Sequence, residues 1–343
     1  MTMTLRQLRL ADPFAAVRDF DGAAHHHVWH SRLGVAAPAD AAAVTALEAG
    51  RGIAIIGPPG SGKTSTLAAA ALGTDGVART HVPLPLSIAG TDVANHAGDP
   101  RYLAGRLVRG VAQLSEQAAR LVDDAAATGT VSRGAVSWKA QAGPRFAALT
   151  REVRQRTENI NFERTPGEVL DTARAAIELL RNAEVRPVLL LEDADGLLRL
   201  PGISEQQRHE IANAFFADGL SPLLREIGVP ALLAIQPDYT ALAGFRTVEP
   251  LLDDAAEAPR PSQFSEGGMQ ILLGEALQLS GVDRQLTDVF TDEALAVLIA
   301  NRYSIQTIRA LLQACDRSLL QAINDHRELI EEADVAYALT QGA

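Results

Sequence analysis

Apolar residues recur along this chain in two rhythms, short continuous runs and three-to-four-residue spacings, whose alternation predicts strands separated by helices. Ile53–Ile56 is a short apolar run, followed by a glycine-rich loop and a helix-forming stretch from Thr64 to Leu72. His81–Ile88 predicts a second strand, held to a sheet edge or an irregular course by Pro83 and Pro85, which offer no N–H to a ladder. Val188–Leu191 is continuously apolar and ends in acidic residues, as expected of a central parallel strand, and Ala231–Ile235 repeats the apolar run. Strands alternating with helices imply an α/β fold built on a doubly wound parallel sheet.

Helix boundaries are written in the capping residues. Thr165-Pro166-Gly167-Glu168 has the form of a capping box with proline at the first helical position, and a helix through Leu180 follows. Ser204-Glu205-Gln206-Gln207 opens another that runs toward Phe216, and Tyr102–Ala126 carries apolar residues at helical spacing. After about residue 264 the strands end. Helical patterns then cover Gly268–Leu279, Asp292–Asn301, Ile305–Ile323 and Glu331–Leu339, and the third keeps Ile305, Ile308, Leu312, Cys315, Leu319 and Ile323 on one face. At the other end, residues 1–50 are alanine-rich, with Pro38 and Asp40 opening a run, Ala41–Glu48, that stops at Gly50. The expected organisation is a helical lead-in over 1–50, an α/β core over 51–264 and a small all-helical lid over 265–343.

Length agrees, because 343 residues exceed the ~250 at which single cores stop growing. No stretch offers the ~18 consecutive apolar residues of a membrane span, and Met1–Phe14, with Arg6, Arg9 and Asp12, lacks the apolar core of a secretory signal. A soluble, cytoplasmic protein is expected. The single cysteine, Cys315, excludes an internal disulfide, and its apolar stripe marks it as core. His25, His26, His27 and His30 stand close together, but no cysteine or acidic residue lies at ligand spacing.

The formal charge of -11 excludes a nucleic-acid-coating surface, which needs a broadly basic face. Locally the balance reverses. Residues 131–165 hold Arg133, Lys139, Arg145, Arg151, Arg154, Arg156 and Arg164 against Glu152, Glu158 and Glu163, a net charge of +4, with Trp138, Phe146 and Phe162 interleaved. Such a segment can hold a nucleic-acid backbone or an acidic partner surface, or serve as a solvated helix.

The sharpest chemical signal is Gly57-Pro58-Pro59-Gly60-Ser61-Gly62-Lys63-Thr64, followed by Ser65. Glycines let a backbone curl around phosphates and turn its N–H groups inward at a helix N-terminus. Lys63, one of only two lysines in the chain, then reaches the β- and γ-phosphates of ATP, and the Thr64 hydroxyl ligates Mg²⁺. Glu192 and Asp193 end the second central strand, where carboxylates hold the Mg²⁺ shell and orient the attacking water; Glu192 is assigned to the metal and Asp193 to the water. Asp195 stands one step further out. Gln236, after the Ala231–Ile235 run, can help hold that water.

With this loop, the run Leu189-Leu190-Leu191-Glu192-Asp193-Ala194-Asp195, a polar strand end and a helical lid, the chain resembles the AAA+ ATPases over roughly residues 30–340. The lid segments Phe290–Leu295 and Leu329–Val335 look like the branch of origin-recognition initiators, STAND-type switches and transposition-regulator ATPases. Two departures stand out. The acidic pair is reversed, glutamate before aspartate, which implies slow hydrolysis. The lid arginine that the family sets against the γ-phosphate matches Gln306 here, with Arg309 one turn further along as the candidate. The resemblance also implies an arginine supplied by a neighbouring subunit, for which Arg260 is preferred over Arg246, and hence a homo-oligomer.

Three functions follow. The leading one is an ATPase switch that recruits or remodels a partner protein; the second is a DNA-associated ATPase assembling on a duplex; the third is a small-molecule P-loop kinase, disfavoured by the long helical lid and the lack of a recognisable acceptor pocket.

Overall fold

A computed structural model describes residues 4–14, 38–72, 81–87, 95–111, 165–182, 185–192, 202–252 and 254–341. In chain order they form α1 (Leu5–Ala11), α2 (Pro38–Glu48), β1 (Ile53–Ile56), α3 (Lys63–Leu72), β2 (His81–Ser87), α4 (residues 100–111) and α5 (Pro166–Asn182). There follow β3 (Arg186–Glu192), α6 (Glu205–Ala214), α7 (Ser221–Ile227), β4 (Ala231–Ile235), α8 (Pro237–Thr240), α9 (Phe245–Val248) and β5 (Asp254–Glu257). The chain closes with α10 (Glu266–Leu279), α11 (Asp292–Ala300), α12 (Ile308–Asn324) and α13 (Glu332–Thr340). Among the described residues the chain divides into two compact units, one from within 42–57 and 67–257, the other from within 1–41, 58–66 and 258–343.

The first unit is built on a five-stranded parallel sheet of order β2-β3-β4-β1-β5. The continuously apolar runs take the middle: Val188–Leu191, Ile53–Ile55 and Ala231–Ile235 are buried. The strand with two prolines lies at an edge, where a missing N–H costs no ladder bond. The other edge is β5, which the apolar pattern does not announce, since Asp254-Ala255-Ala256-Glu257 has no β-branched or aromatic residue. Its strand character comes from pairing with β1, from Ile53 opposite Asp254 to Ile56 opposite Glu257.

The capping signals act as written. Glu168 Oε2 accepts from the Thr165 N–H at 2.8 Å, and Thr165 Oγ1 accepts from the Glu168 N–H at 3.4 Å. Ser204 and Gln207 exchange the same pair of bonds at the start of α6. Asp99 accepts the N–H of Arg101 at 2.9 Å ahead of α4, and its hydrogen bond with the Arg101 side chain holds the carboxyl below its usual range.

Between α6 and α7 the helix widens into a π-turn, Phe215–Leu220. Phe216 stands there edge-on to Phe215, Tyr239 and Phe245, with centroids 5.2, 5.5 and 5.4 Å away. Asn213 Oδ1 accepts the Gly244 N–H at 2.7 Å, and a Cβ on Gly244 would lie 2.4 Å from the Asn213 carbonyl oxygen. Only glycine permits that approach. The segment after β4 is thereby tied to α6.

The second unit packs the helices after residue 258 around one apolar core. Cys315 lies inside it, and burial pushes its thiol well above the ordinary range. Helix α12 begins at Ile308 rather than at Ile305, because Thr307 takes the N-cap, its Oγ1 accepting from the Ala310 N–H at 3.0 Å. The N-terminal helix belongs to this core as well: Leu5, Leu8 and Phe14 are buried in it, α1 packs on α12, and Phe14 stands edge-on to Phe290 at 5.9 Å. None of the described helices is long and apolar enough to cross a membrane.

Candidate functional site

The glycine-rich loop leaves β1 at Gly57, whose N–H donates to the Ile235 carbonyl at 3.0 Å and so continues the ladder with β4. It then turns sharply. Gly60 and Gly62 have φ of 82° and 88°, left-handed values that cost an L side chain roughly 1–2 kcal/mol. These two positions are where the loop requires glycine. The Pro58 carbonyl collects donors from inside the loop: the Ser61 N–H at 3.3 Å, Ser61 Oγ at 2.8 Å and Lys63 Nζ at 3.0 Å. Lys63, the first residue of α3, is only 5% exposed, and burying an ammonium is costly without strong acceptors or an anion. Ser61 and Ser65 are buried, while Pro58, Pro59, Gly60, Gly62 and Thr64 are half-buried.

Residues 58–66 of the loop fall in the same compact unit as the helices after 258, and there the first turn of α12 packs on them. The Arg309 N–H donates to the Gly60 carbonyl at 3.1 Å. A Cβ on Gly60 would lie 2.5 Å from Arg309 Cβ and 3.0 Å from its Cδ and Nε, so the arginine stem lies flat across this glycine. A Cβ on Gly62 would lie 3.3 Å from Ile308 Cδ1. The Nε of Arg309 is buried without a hydrogen-bond partner, and so is the Oγ1 of Thr66. A buried, unpaired donor of a permanently charged group, beside a loop with left-handed glycines and a helix N-terminus, fits a polyphosphate. Of the two lid positions read from the sequence, Arg309 is the one at the loop; Gln306 is exposed.

Glu192 is the last residue of β3, paired in register with Ser87, and Asp193 and Asp195 lie outside the described residues. Gln236 follows β4 as the N-cap of α8, 7% exposed, its carbonyl accepting from the Tyr239 N–H at 3.1 Å. Since the sheet is parallel, Gly57, Glu192 and Gln236 all follow or end strands at its C-terminal edge, where ligands of open α/β sheets bind. Arg246 is exposed at α9. Arg260 is exposed too, its N–H donating to Gln263 Oε1 at 3.0 Å. The histidines 25–30 and the basic segment 131–165 lie outside the described residues; among those described, no cluster of three His, Cys, Asp or Glu side chains could hold a metal.

Reading the sequence missed the backbone role of Arg309. The signal was available in Thr307: a threonine N-cap places residue 309 in the first helical turn, where N–H groups lack helical partners.

Fold and loop together are a doubly wound parallel sheet with a glycine-rich loop between β1 and α3, and a unit of helices after residue 258, the architecture that the AAA+ resemblance implies. No family model and no curated protein matches the chain. Among solved structures it is similar to the Aeropyrum pernix ORC2 protein, determined in ADPNP–ADP complexes, with 14% identity and a TM-score of 0.47 over 89% of this chain and 66% of that one. It is also similar to the Aeropyrum pernix ORC1 protein in complex with DNA, with 13% identity and a TM-score of 0.40 over 90% of this chain and 66% of that one. The chain thus spans about two thirds of the length of each.

Proposed function

We propose that this chain is an ATP-binding, ATP-hydrolysing protein of the AAA+ type that acts as a nucleotide-dependent switch on duplex DNA, in an oligomeric form. The observation that carries the nucleotide part is the closure of the first turn of α12 over the phosphate loop, with the Arg309 N–H on Gly60 and its Nε buried and unpaired. ATP would be held by the backbone of Gly57–Gly62, by Lys63 and by Arg309, and Mg²⁺ by Thr64 and Glu192. The bound metal supplies charge neutralisation at the phosphates. Among the chain's own groups, Asp193 orients the attacking water as general base, Gln236 helps hold it, and Arg260 of a neighbouring subunit faces the transferred phosphoryl group. With aspartate at the water position, one methylene shorter than the glutamate of the family, turnover is slow.

The basic segment 131–165 favours DNA over an unspecified surface, because +4 in an otherwise acidic chain concentrates the phosphate-binding charge in one place. A partner-protein switch is the competing reading, and the lid as carrier of the nucleotide signal serves either.

Hydrolysis measured without an acceptor, then with duplex DNA, tests both levels. Turnover without an acceptor separates the ATPase from a small-molecule kinase. Stimulation by duplex, lost on reversing the charges of Arg151, Arg154 and Arg156, supports the DNA reading; equal turnover with and without DNA returns the role to a protein partner. Unchanged turnover in Asp193→Asn would overturn the water-orienting assignment.

A further inference from the structure

One interaction outside the loop acts on the helix that closes it. Arg9 of α1 forms an ion pair with Asp316 of α12, and its Nη1 also donates to Asp12 Oδ1 at 3.3 Å. Asp12 is the C-cap of α1, held in the left-handed region at φ 49°. The ion pair is only about one-third exposed on the Arg9 side and one-quarter on the Asp316 side. Leu8 and Phe14 are fully buried in the lid core and Leu5 is nearly so, in the cluster that also takes Leu311, Leu312, Cys315 and Leu319 of α12. So α1 is fastened to α12 by both packing and charge.

Asp316 follows Arg309 by seven residues. At 3.6 residues per turn and 1.5 Å per residue, seven residues bring a side chain back to nearly the same azimuth, about 10 Å further along the axis. Arg309 and Asp316 therefore leave α12 on the same side, one against the phosphate loop and one against α1. A packed helix moves as a rigid element. A restraint on its azimuth at Asp316 therefore sets the azimuth at which Arg309 meets Gly60.

We propose that Arg9 and Asp316 are positioning residues for Arg309: α1 is a strap that sets the rotation of α12, and through it the lid arginine's discrimination between ATP and ADP. The proposal rests on the reading of the loop as an ATP site with Arg309 at its γ-phosphate end. Loss of the strap weakens ATP, which has the γ-phosphate, more than ADP, which lacks it. A merely structural loss lowers both affinities alike.

The test is equilibrium binding of ATP and ADP to the full chain and to Arg9→Glu, Asp316→Arg, the double exchange Arg9→Glu/Asp316→Arg, Arg309→Ala and Lys63→Ala, with hydrogen exchange of the α12 amides in both nucleotides. Each single charge reversal is expected to lower the ATP-to-ADP affinity ratio by about fivefold, the size of one partly buried ion pair, and the double exchange to restore it. Arg9→Gln, which removes the charge without repulsion, covers the case in which a reversal prevents folding; it should lower the same ratio. If the ratio in these variants equals that of the parent while Arg309→Ala abolishes it, the strap proposal is overturned and the ATP site stands. If the parent binds neither nucleotide, or binds them as Lys63→Ala does, the reading of the loop fails and the strap with it.

Discussion

At the residue scale, two features of the loop and lid make sharp demands. Gly60 combines a φ of 82° with the Arg309 stem lying where its Cβ would stand. Gly60→Ala therefore meets backbone strain of about 1–3 kcal/mol and displaces the first turn of α12. Nucleotide affinity should fall about tenfold or more, read by equilibrium binding; a variant that binds like the parent would show that the loop works in another conformation. Cys315 makes the opposite kind of demand. Its thiol is fully buried and pushed upward by desolvation, so little thiolate forms even at mildly alkaline pH. A thiol-specific reagent should label it only as fast as the helical unit opens, with the rate rising steeply in denaturant. The loop glycines and Cys315 were legible in the sequence because their constraints are local or periodic. The contact between Arg309 and Gly60 was not, since the two residues are 249 positions apart and only packing brings them together.

At the element scale, α1 is short, seven residues, too short to hold itself helical in water, so its stability comes from the lid core. Leu8→Ala should cost the helical unit about 2–5 kcal/mol, measured as a lower unfolding midpoint. In the sheet unit, Asn213→Ala leaves the Gly244 N–H without its acceptor and should cost about 1–3 kcal/mol, seen in urea unfolding. The capping boxes at Thr165 and Ser204 and the proline-marked edge strand could be read directly, because a cap and a missing N–H act within a few residues. Strand β5 could not, because alanines between two acids carry no strand signal of their own; the open edge of β1 provides the partner. Nor did helical spacing in α1 say which core it joins.

At the scale of the whole molecule, ATP bound to the folded chain should stabilise it by mass action, about 2.7 kcal/mol at a hundredfold excess over Kd, and Lys63→Ala should abolish the shift. Mass measurement with and without ATP and duplex DNA bears on the shared-site proposal: a larger assembly with ATP supports Arg260 in trans, and a strict monomer in every condition defeats it. The sequence by itself determined the parallel α/β core, the glycines and lysine of the phosphate loop and the amphipathic helices of the lid, since periodicity, capping and backbone freedom are local properties. Only the tertiary structure decided that the loop clusters with the helical unit, that Arg309 rather than Gln306 meets it, and that the N-terminal helix straps the element carrying that arginine. Those outcomes depend on which buried surfaces fit one another over hundreds of residues, and no local pattern encodes that choice.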